Sequence, residues 1–124
     1  MGTLLVFALA WTAAPAFGQD DPDPEEFTPV GYEFCGWRDL QNGRWVMEWD
    51  DDLQGTFLIA FARGMTCRVA RRNVLGVRYT NTTPRRPVRK GYRCAVLEDR
   101  REYQDVRCTK LGRSSVAFRY RAGS

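Results

Sequence analysis

One stretch of the chain has the hydrophobic period of a helix. Cys67, Ala70 and Val74 recur at i, i+3 and i+7, and arginines occupy most of the positions between them. Thr66 comes just before this stripe, where a hydroxyl side chain satisfies an otherwise unpaired amide of the first turn. The stretch 65–79 is therefore predicted to contain an amphipathic helix whose apolar stripe packs on a sheet, with its last turn weakened at Gly76 and a loop after it.

Most of the remaining apolar positions indicate strands. The strand-like segments are residues 32–37, 45–49, 56–62, 92–98 and 116–120. Asn42 and Gly43 separate the first two, and both residues tolerate the positive φ of a tight hairpin turn. Pro84 and Pro87 make residues 80–90 a predicted loop. Strands on both sides of one helix predict an α+β fold, a small antiparallel sheet with one helix packed across it and two disulfides.

The N-terminus has the pattern of a secretory signal peptide, predicted over residues 1–18. An apolar run at 4–11 is too short to span a bilayer and is followed by small residues, although no Lys or Arg precedes it. Cleavage is predicted after Gly18, with Ala16 as the alternative. Residues 19–29 are acidic and interrupted by prolines, and are predicted to be a disordered leader. Residues 30–122 then form a single secreted domain, for which we expect no transmembrane anchor.

Four cysteines in an exported chain favour two disulfides over a metal site. If Arg101 lies at the tip of a short hairpin, Cys94 lies directly opposite Cys108, close enough for a bridge. By elimination, Cys35 pairs with Cys67, and this bridge ties the first strand to the start of the helix. Because the chain has no histidine, metal binding is disfavoured further.

The charged residues are divided unevenly along the chain. Residues 1–62 contain eleven acidic and two basic side chains, whereas residues 63–124 contain four acidic and seventeen basic ones. One interpretation is that the two halves fold against each other and largely neutralise. The alternative is an anion-binding face.

A dense group of cations falls in and just after the predicted loop. The candidate binding residues are Arg85, Arg86, Arg89, Lys90 and Arg93. Guanidinium groups bind phosphate and sulfate through two parallel hydrogen bonds, which suits an acidic envelope polymer. The other interpretation is a solvated loop near the acidic first half. Nucleic acid is disfavoured as the partner, because no aromatic side chain lies among these cations for base stacking.

Three further patterns have structural explanations that are at least as good as functional ones. Residues 50–55 resemble the opening of a calcium loop, but Phe61 occupies the position that needs a bidentate acid, so an acidic turn is favoured. Residues 81–83 form a glycosylation sequon in the predicted loop. The early aromatics suit core packing or a contact surface: Tyr32, Phe34, Trp37, Trp45 and Trp49.

Four short motifs in the second half occur in a recognisable order. They are Cys67-x-x-Ala70-Arg71, Gly91-Tyr92-Arg93-Cys94, Arg107-Cys108-Thr109 and Val116-Ala117-Phe118. As a set they make residues 64–121 resemble small secreted disulfide-containing proteins of high-GC Gram-positive bacteria. The resemblance implies a secreted domain stabilised by disulfides, and it transfers no catalytic residue.

Catalysis has little support in the sequence. The chain lacks histidine, the commonest general acid–base, and oxidised cysteines supply no thiolate nucleophile. We therefore expect a non-enzymatic secreted binding domain, without a cofactor, whose partner is an anionic polymer or a secreted protein at the cell envelope. The alternative is a small protein inhibitor of an extracellular enzyme that presents residues 80–90 or 99–102 as a preorganised loop.

Overall fold

The computed structural model describes residues 24–39, 43–48, 57–79 and 86–123. In chain order the elements are α1 (Pro24–Phe27), β1 (Glu33–Asp39), β2 (Trp45–Val46), β3 (Phe57–Arg63), α2 (Cys67–Gly76), β4 (Arg78–Tyr79), β5 (Pro87–Val88), β6 (Tyr92–Asp99), β7 (Tyr103–Lys110) and β8 (Arg113–Gly123). Six strands form one antiparallel sheet in the order β2-β1-β3-β8-β7-β6, and β4 pairs with β5. The fold is thus mostly antiparallel sheet with one full helix, and the α+β expectation is confirmed only in this coarser form.

Helix α2 forms where its hydrophobic period predicts it. The Thr66 side chain accepts a hydrogen bond from the Val69 amide at 3.2 Å, which satisfies one of the free donors of the first turn. Ala70 and Val74 are buried against β1, β3 and β8. Arg71, which the pattern places toward solvent, instead donates from Nε to the Cys35 carbonyl at 2.6 Å. The sequence does not reveal this contact because it depends on how the helix lies across β1.

The strands place alternate side chains on two different faces of the sheet. The face under α2, which we call the helix face, contains the fully buried core together with Ala70 and Val74 of the helix. Its central strand residues are Cys35, Ala60, Ala62, Val106, Cys108, Phe118 and Tyr120. Burying a large apolar side chain contributes about 1.5–3 kcal/mol. Phe118 and Tyr120 of this face are therefore expected to contribute strongly to stability.

The opposite face has an apolar half on β1 and β3. Trp37 and Phe61 are buried there, and the Phe27 ring of α1 packs 5.2 Å from that of Trp37. These aromatics serve the core, which favours the packing interpretation of the early aromatic cluster. Phe27 belongs to the segment predicted to be a disordered leader, so the ordered part of the chain begins earlier than residue 30.

Both disulfides join the predicted cysteines. Cys94 lies directly opposite Cys108 on β6 and β7, with their Cα atoms 4.0 Å apart. Cys35 is bonded to Cys67, which ties β1 to the first residue of α2. The hairpin is not symmetrical about Arg101, however, because a bulge after Val96 shifts the register before the tip.

Two local predictions need correction, and three others lie outside the described residues. The predicted loop at 80–90 contains β5, in which Pro87–Val88 pairs with Arg78–Tyr79. Proline has no backbone N–H to donate, but it is tolerated in a short strand at an edge, where that donor is not needed. The strand predicted at 45–49 is only Trp45–Val46 in the structure, where it pairs with β1 after Gly43 at φ +71°. Residues 50–55, the sequon at 81–83 and the predicted signal peptide are outside the described ranges.

In the part of the chain that is described, no helix is long and apolar enough to cross a membrane.

Candidate functional site

The structure separates the cations that the sequence groups together. Arg89 lies on the helix side of the sheet, where its Nε donates to Asn73 Oδ1 at 3.0 Å and its guanidinium fills the space that a side chain at position 76 would occupy. Arg93 lies on the opposite face. Arg86 and Lys90 are exposed, and Arg85 is outside the described residues. The four of these residues that the structure describes therefore do not form one surface, and Arg89 connects the segment before β6 to α2.

A different set of arginines does share one surface. The half of the sheet that faces away from α2 and lies beside the aromatic cluster carries Arg63, Arg93, Arg107, Arg119 and Arg121, which together we call the arginine face. Arg107 lies directly opposite Arg119 on neighbouring strands. Arg63 and Arg93 end a row that crosses four strands, so their backbones are about 14 Å apart.

One buried carboxylate organises the centre of the arginine face. Asp105 is only 3% exposed in its side chain, and it accepts from Arg119 Nη2 at 3.1 and 3.2 Å and from Arg121 Nη2 at 3.1 Å. Because one carboxylate serves two guanidinium groups, this cluster keeps a net positive charge. Asp105 therefore fixes the positions of Arg119 and Arg121 without neutralising them both.

Aromatic rings hold three of the guanidinium groups in place. The Arg63 and Arg119 guanidinium carbons lie 4.9 Å and 5.5 Å from the centre of the Tyr32 ring. Arg121 lies 4.8 Å from the centre of the Tyr103 ring. Such cation–π contacts leave the outer edge of a guanidinium available for an anion. Three of the five side chains of the arginine face are thus held in place, and Arg93 and Arg107 are exposed beside them.

Several donors on the arginine face lack acceptors. Within the described residues, the buried Nε atoms of Arg63, Arg119 and Arg121 and the buried hydroxyl of Tyr32 have no hydrogen-bond partner. A buried donor without a partner costs about 1–3 kcal/mol, so a cluster of them calls for an explanation. The three guanidinium groups lie over the Tyr32 and Tyr103 rings, whose π faces offset part of this cost, and because the Nε atoms are buried an anion can contact only the remaining edges of these groups.

The hairpin tip between β6 and β7 forms a second ordered feature. Glu98 accepts from the Tyr103 hydroxyl at 2.8 Å and from Arg100 Nε at 2.7 Å. The Tyr103 hydrogen bond and then the Arg100 hydrogen bond lower the pKa of Glu98, and the same bond to Glu98 raises the pKa of Tyr103. Arg101 and Glu102 remain exposed at the tip.

The arginine face was missed because its members are far apart in sequence. Residues 85–93 stand out in the sequence because their cations form a dense run. Residues that share one face of a strand are two positions apart, so cations on a sheet face form no such run. The available signal was the alternation in β7 and β8, where Arg107 lies between two buried residues and Arg119 and Arg121 flank Tyr120.

No protein-family model matches the chain, no curated protein is significantly similar to it, and no solved structure matches it. Within the described residues no group of three or more His, Cys, Asp or Glu side chains is placed to hold a metal ion. The function therefore has to be argued from the charges and geometry of the chain itself.

Proposed function

We propose that the chain is a non-enzymatic secreted domain that binds an anionic polymer at the cell envelope through its arginine face. The observation that carries this proposal is the charge of that face. Among the described residues of β3, β6, β7 and β8, five arginines share the face with only two acids, Asp105 and Glu98. Both acids already have partners within the fold.

The spacing of the cations favours a polymer over a single small anion. The backbones of Arg63 and Arg93 lie about 14 Å apart across the sheet, and Arg63 Nη2 is held by the Ser114 carbonyl at 2.9 Å, so the face is wider than one phosphate or sulfate group. A linear chain of such groups would contact several guanidinium groups in succession. Since Asp105 and the tyrosine rings hold Arg63, Arg119 and Arg121, these three side chains lose little conformational freedom on binding.

Export supports the choice of an envelope polymer as the partner. Two disulfides are typical of proteins that fold in an oxidising compartment, where nucleic acid is scarce and acidic surface polymers are abundant. Arginine suits this role because its planar group binds phosphate and sulfate through paired hydrogen bonds.

The proposal is tested with a fluorescent polyphosphate and a heparin oligosaccharide as probes. Charge reversal at the exposed Arg107, as Arg107→Glu, is expected to weaken binding of both probes by at least about tenfold, since it removes one charge contact and adds a repulsive one. The matched control is Arg72→Glu, which changes the charge equally on the exposed side of α2. Equal losses for the two variants would show that only net charge matters and would refute the proposal.

The ordered hairpin tip supports a second candidate function, inhibition of an extracellular enzyme. Arg100 donates its backbone amide to the Tyr103 carbonyl at 2.8 Å, which holds the exposed Arg101 and Glu102 in one conformation. A loop of this kind would insert into an active site at low entropic cost. Inhibition of a hydrolase panel that survives high salt and is lost in Arg101→Ala would favour this function, because polyanion binding is screened by salt.

A further inference from the structure

Three tight turns lie together at one end of the sheet, which we call the turn end. They are residues 29–32 before β1, residues 89–92 before β6, and residues 110–113 between β7 and β8. β1 begins beside the end of β3, β6 begins beside the end of β7, and β8 pairs with both β3 and β7. The register therefore places all three turns at the same end.

Two of these turns carry an exposed apolar side chain. Val30 is 99% exposed and Leu111 is 57% exposed. The strands that these turns adjoin, β1 and β7, are three steps apart in the sheet, or about 14 Å. One exposed apolar side chain is ordinary on a protein surface, but two at the same end of a sheet can be covered by one partner.

Backbone hydrogen bonds fix both apolar tips. The Tyr32 amide donates to the Pro29 carbonyl at 3.1 Å and so closes the turn around Val30. The Leu111 amide donates to the Gly91 carbonyl at 3.0 Å, which ties the turn between β7 and β8 to the start of β6. The two apolar side chains therefore project from turns of fixed backbone geometry.

Exposed cations surround the turn between β7 and β8 on both sides of the sheet. Lys110 and Arg113 pair across this turn on the helix side, whereas Arg93 lies on the arginine face. Lys90 is exposed in the neighbouring turn. Among the described residues of the three turns and of the strand ends beside them, the one acid is Glu33, at the start of β1. Because these cations lie on two sides of the sheet, they suit a broad negative surface better than one small ligand.

We propose that the turn end docks on the surface of a bilayer that contains anionic lipids. Val30 and Leu111 enter the boundary between headgroups and acyl chains, while three cations contact the headgroups: Lys90, Lys110 and Arg113. Peripheral contacts of this kind combine apolar burial with electrostatic attraction to anionic lipid. The inference is independent of the proposed function, because these three cations lie outside the arginine face.

The apolar tips decide between a bilayer and other partners. A soluble polyanion would contact the cations but would leave Val30 and Leu111 in water. In a protein–protein interface, apolar side chains cluster in one buried core, whereas these two stand at separate tips. A fluid bilayer surface accepts both.

The test is co-sedimentation with vesicles of phosphatidylglycerol and phosphatidylcholine in equal parts, and with vesicles of phosphatidylcholine alone. The chain is used from residue 19 onward, which contains every element of the fold but not the apolar run at 4–11, because that run would itself bind lipid. The wild-type chain is expected to bind the anionic vesicles and not the neutral ones.

Leu111→Ser should weaken binding to the anionic vesicles by about tenfold, because it removes an apolar side chain that enters the bilayer. The matched control is Leu75→Ser, which makes the same change at a residue of α2 that is 48% exposed. This control should change vesicle binding by less than about twofold. The amide NMR spectrum of each variant reports whether it is folded.

Lys110→Gln and Arg113→Gln should each weaken binding to the anionic vesicles by about fivefold, the contribution of one Lys or Arg near an anionic membrane surface. The control Arg72→Gln removes an equal charge from the exposed side of α2 and should have less than about half of that effect.

Three results would overturn the inference: no binding to either kind of vesicle, equal binding to both kinds, or equal vesicle affinity for Leu111→Ser and Leu75→Ser. Loss of vesicle binding in Arg107→Glu but not in Leu111→Ser would also refute it, because the arginine face would then contact the headgroups.

Polyphosphate binding separates this inference from the proposed function. Leu111→Ser should leave polyphosphate affinity unchanged, since a soluble polyanion has no use for the leucine side chain. If Leu111→Ser weakens vesicle binding while Arg107→Glu leaves polyphosphate affinity unchanged, the proposed function fails and this inference stands. If only polyphosphate binding depends on its proposed residue, the reverse holds.

Discussion

The two faces of the sheet use neighbouring residues of the same strands for different purposes. On β8, Phe118 is completely buried under α2, whereas the next residue, Arg119, lies on the arginine face. On β7, Cys108 is buried in a disulfide, while Arg107 beside it is exposed. The comparison teaches that strand alternation separates the buried core from the surface that we propose binds an anionic polymer, so substitutions one position apart should affect different properties.

The largest expected effect is the loss of a buried ring from the helix face. Phe118→Ala should reduce the free energy of unfolding by about 3–5 kcal/mol, because Phe118 is fully buried and its removal leaves a cavity. Its matched variant on the other face, Arg107→Gln, should change that free energy by less than about 0.5 kcal/mol. Urea unfolding measures the free energy of unfolding of both variants. Equal destabilisation would contradict the separation of the two faces.

The two disulfides should differ in the stability that they contribute. In the chain-entropy model, loss of the Cys35–Cys67 bridge costs about 4 kcal/mol and loss of the Cys94–Cys108 bridge about 3 kcal/mol, since the first closes the longer loop. Paired Cys→Ala variants, compared by urea unfolding, test this order. A larger cost for Cys94–Cys108 would show that hairpin geometry outweighs loop length.

Asp105→Asn should move stability and binding in opposite directions. The substitution removes the charged acceptor of Arg119 and Arg121, so the free energy of unfolding should fall by about 1–3 kcal/mol. It also adds one unit of positive charge to the arginine face, so polyphosphate affinity should rise. Unfolding and binding are measured on the same preparation. A parallel loss of both would mean that the order which Asp105 imposes on Arg119 and Arg121 matters more for binding than the added charge.

The smallest effect is expected at the hairpin tip. Tyr103→Phe removes the hydroxyl that does most to lower the pKa of Glu98, so this pKa should rise toward the ordinary glutamate value. Because the pKa is lowered in the folded state, the ionised carboxylate adds stability above the ordinary value of about 4.3, and that stability is lost as the pH falls through the folded pKa. Carboxyl NMR titration of both proteins tests this, and an unchanged Glu98 pKa would contradict it.

How much the sequence predicts depends on whether a feature is local. The period of α2, the Thr66 cap and the Cys94–Cys108 register follow from neighbouring residues, and the structure confirms them. The bulge after Val96 has no strong local signal, and it centres the tip between Arg101 and Glu102 instead of on Arg101. The arginine face depends on β3 pairing with β8 across more than fifty residues of chain, and no local pattern specifies that neighbour. The hydrogen bond from Arg71 to the Cys35 carbonyl has no local signal either, because it depends on how α2 lies across β1.

The central claim is that cations of the arginine face contact the anionic partner directly. The most direct measurement is the salt dependence of polyphosphate affinity for wild type, Arg107→Gln and the helix control Arg72→Gln. The slope of log affinity against log salt should decrease by about one for Arg107→Gln and stay at the wild-type value for Arg72→Gln. Equal slopes for the two variants would contradict the claim, because the polymer would then sense only the total charge of the protein.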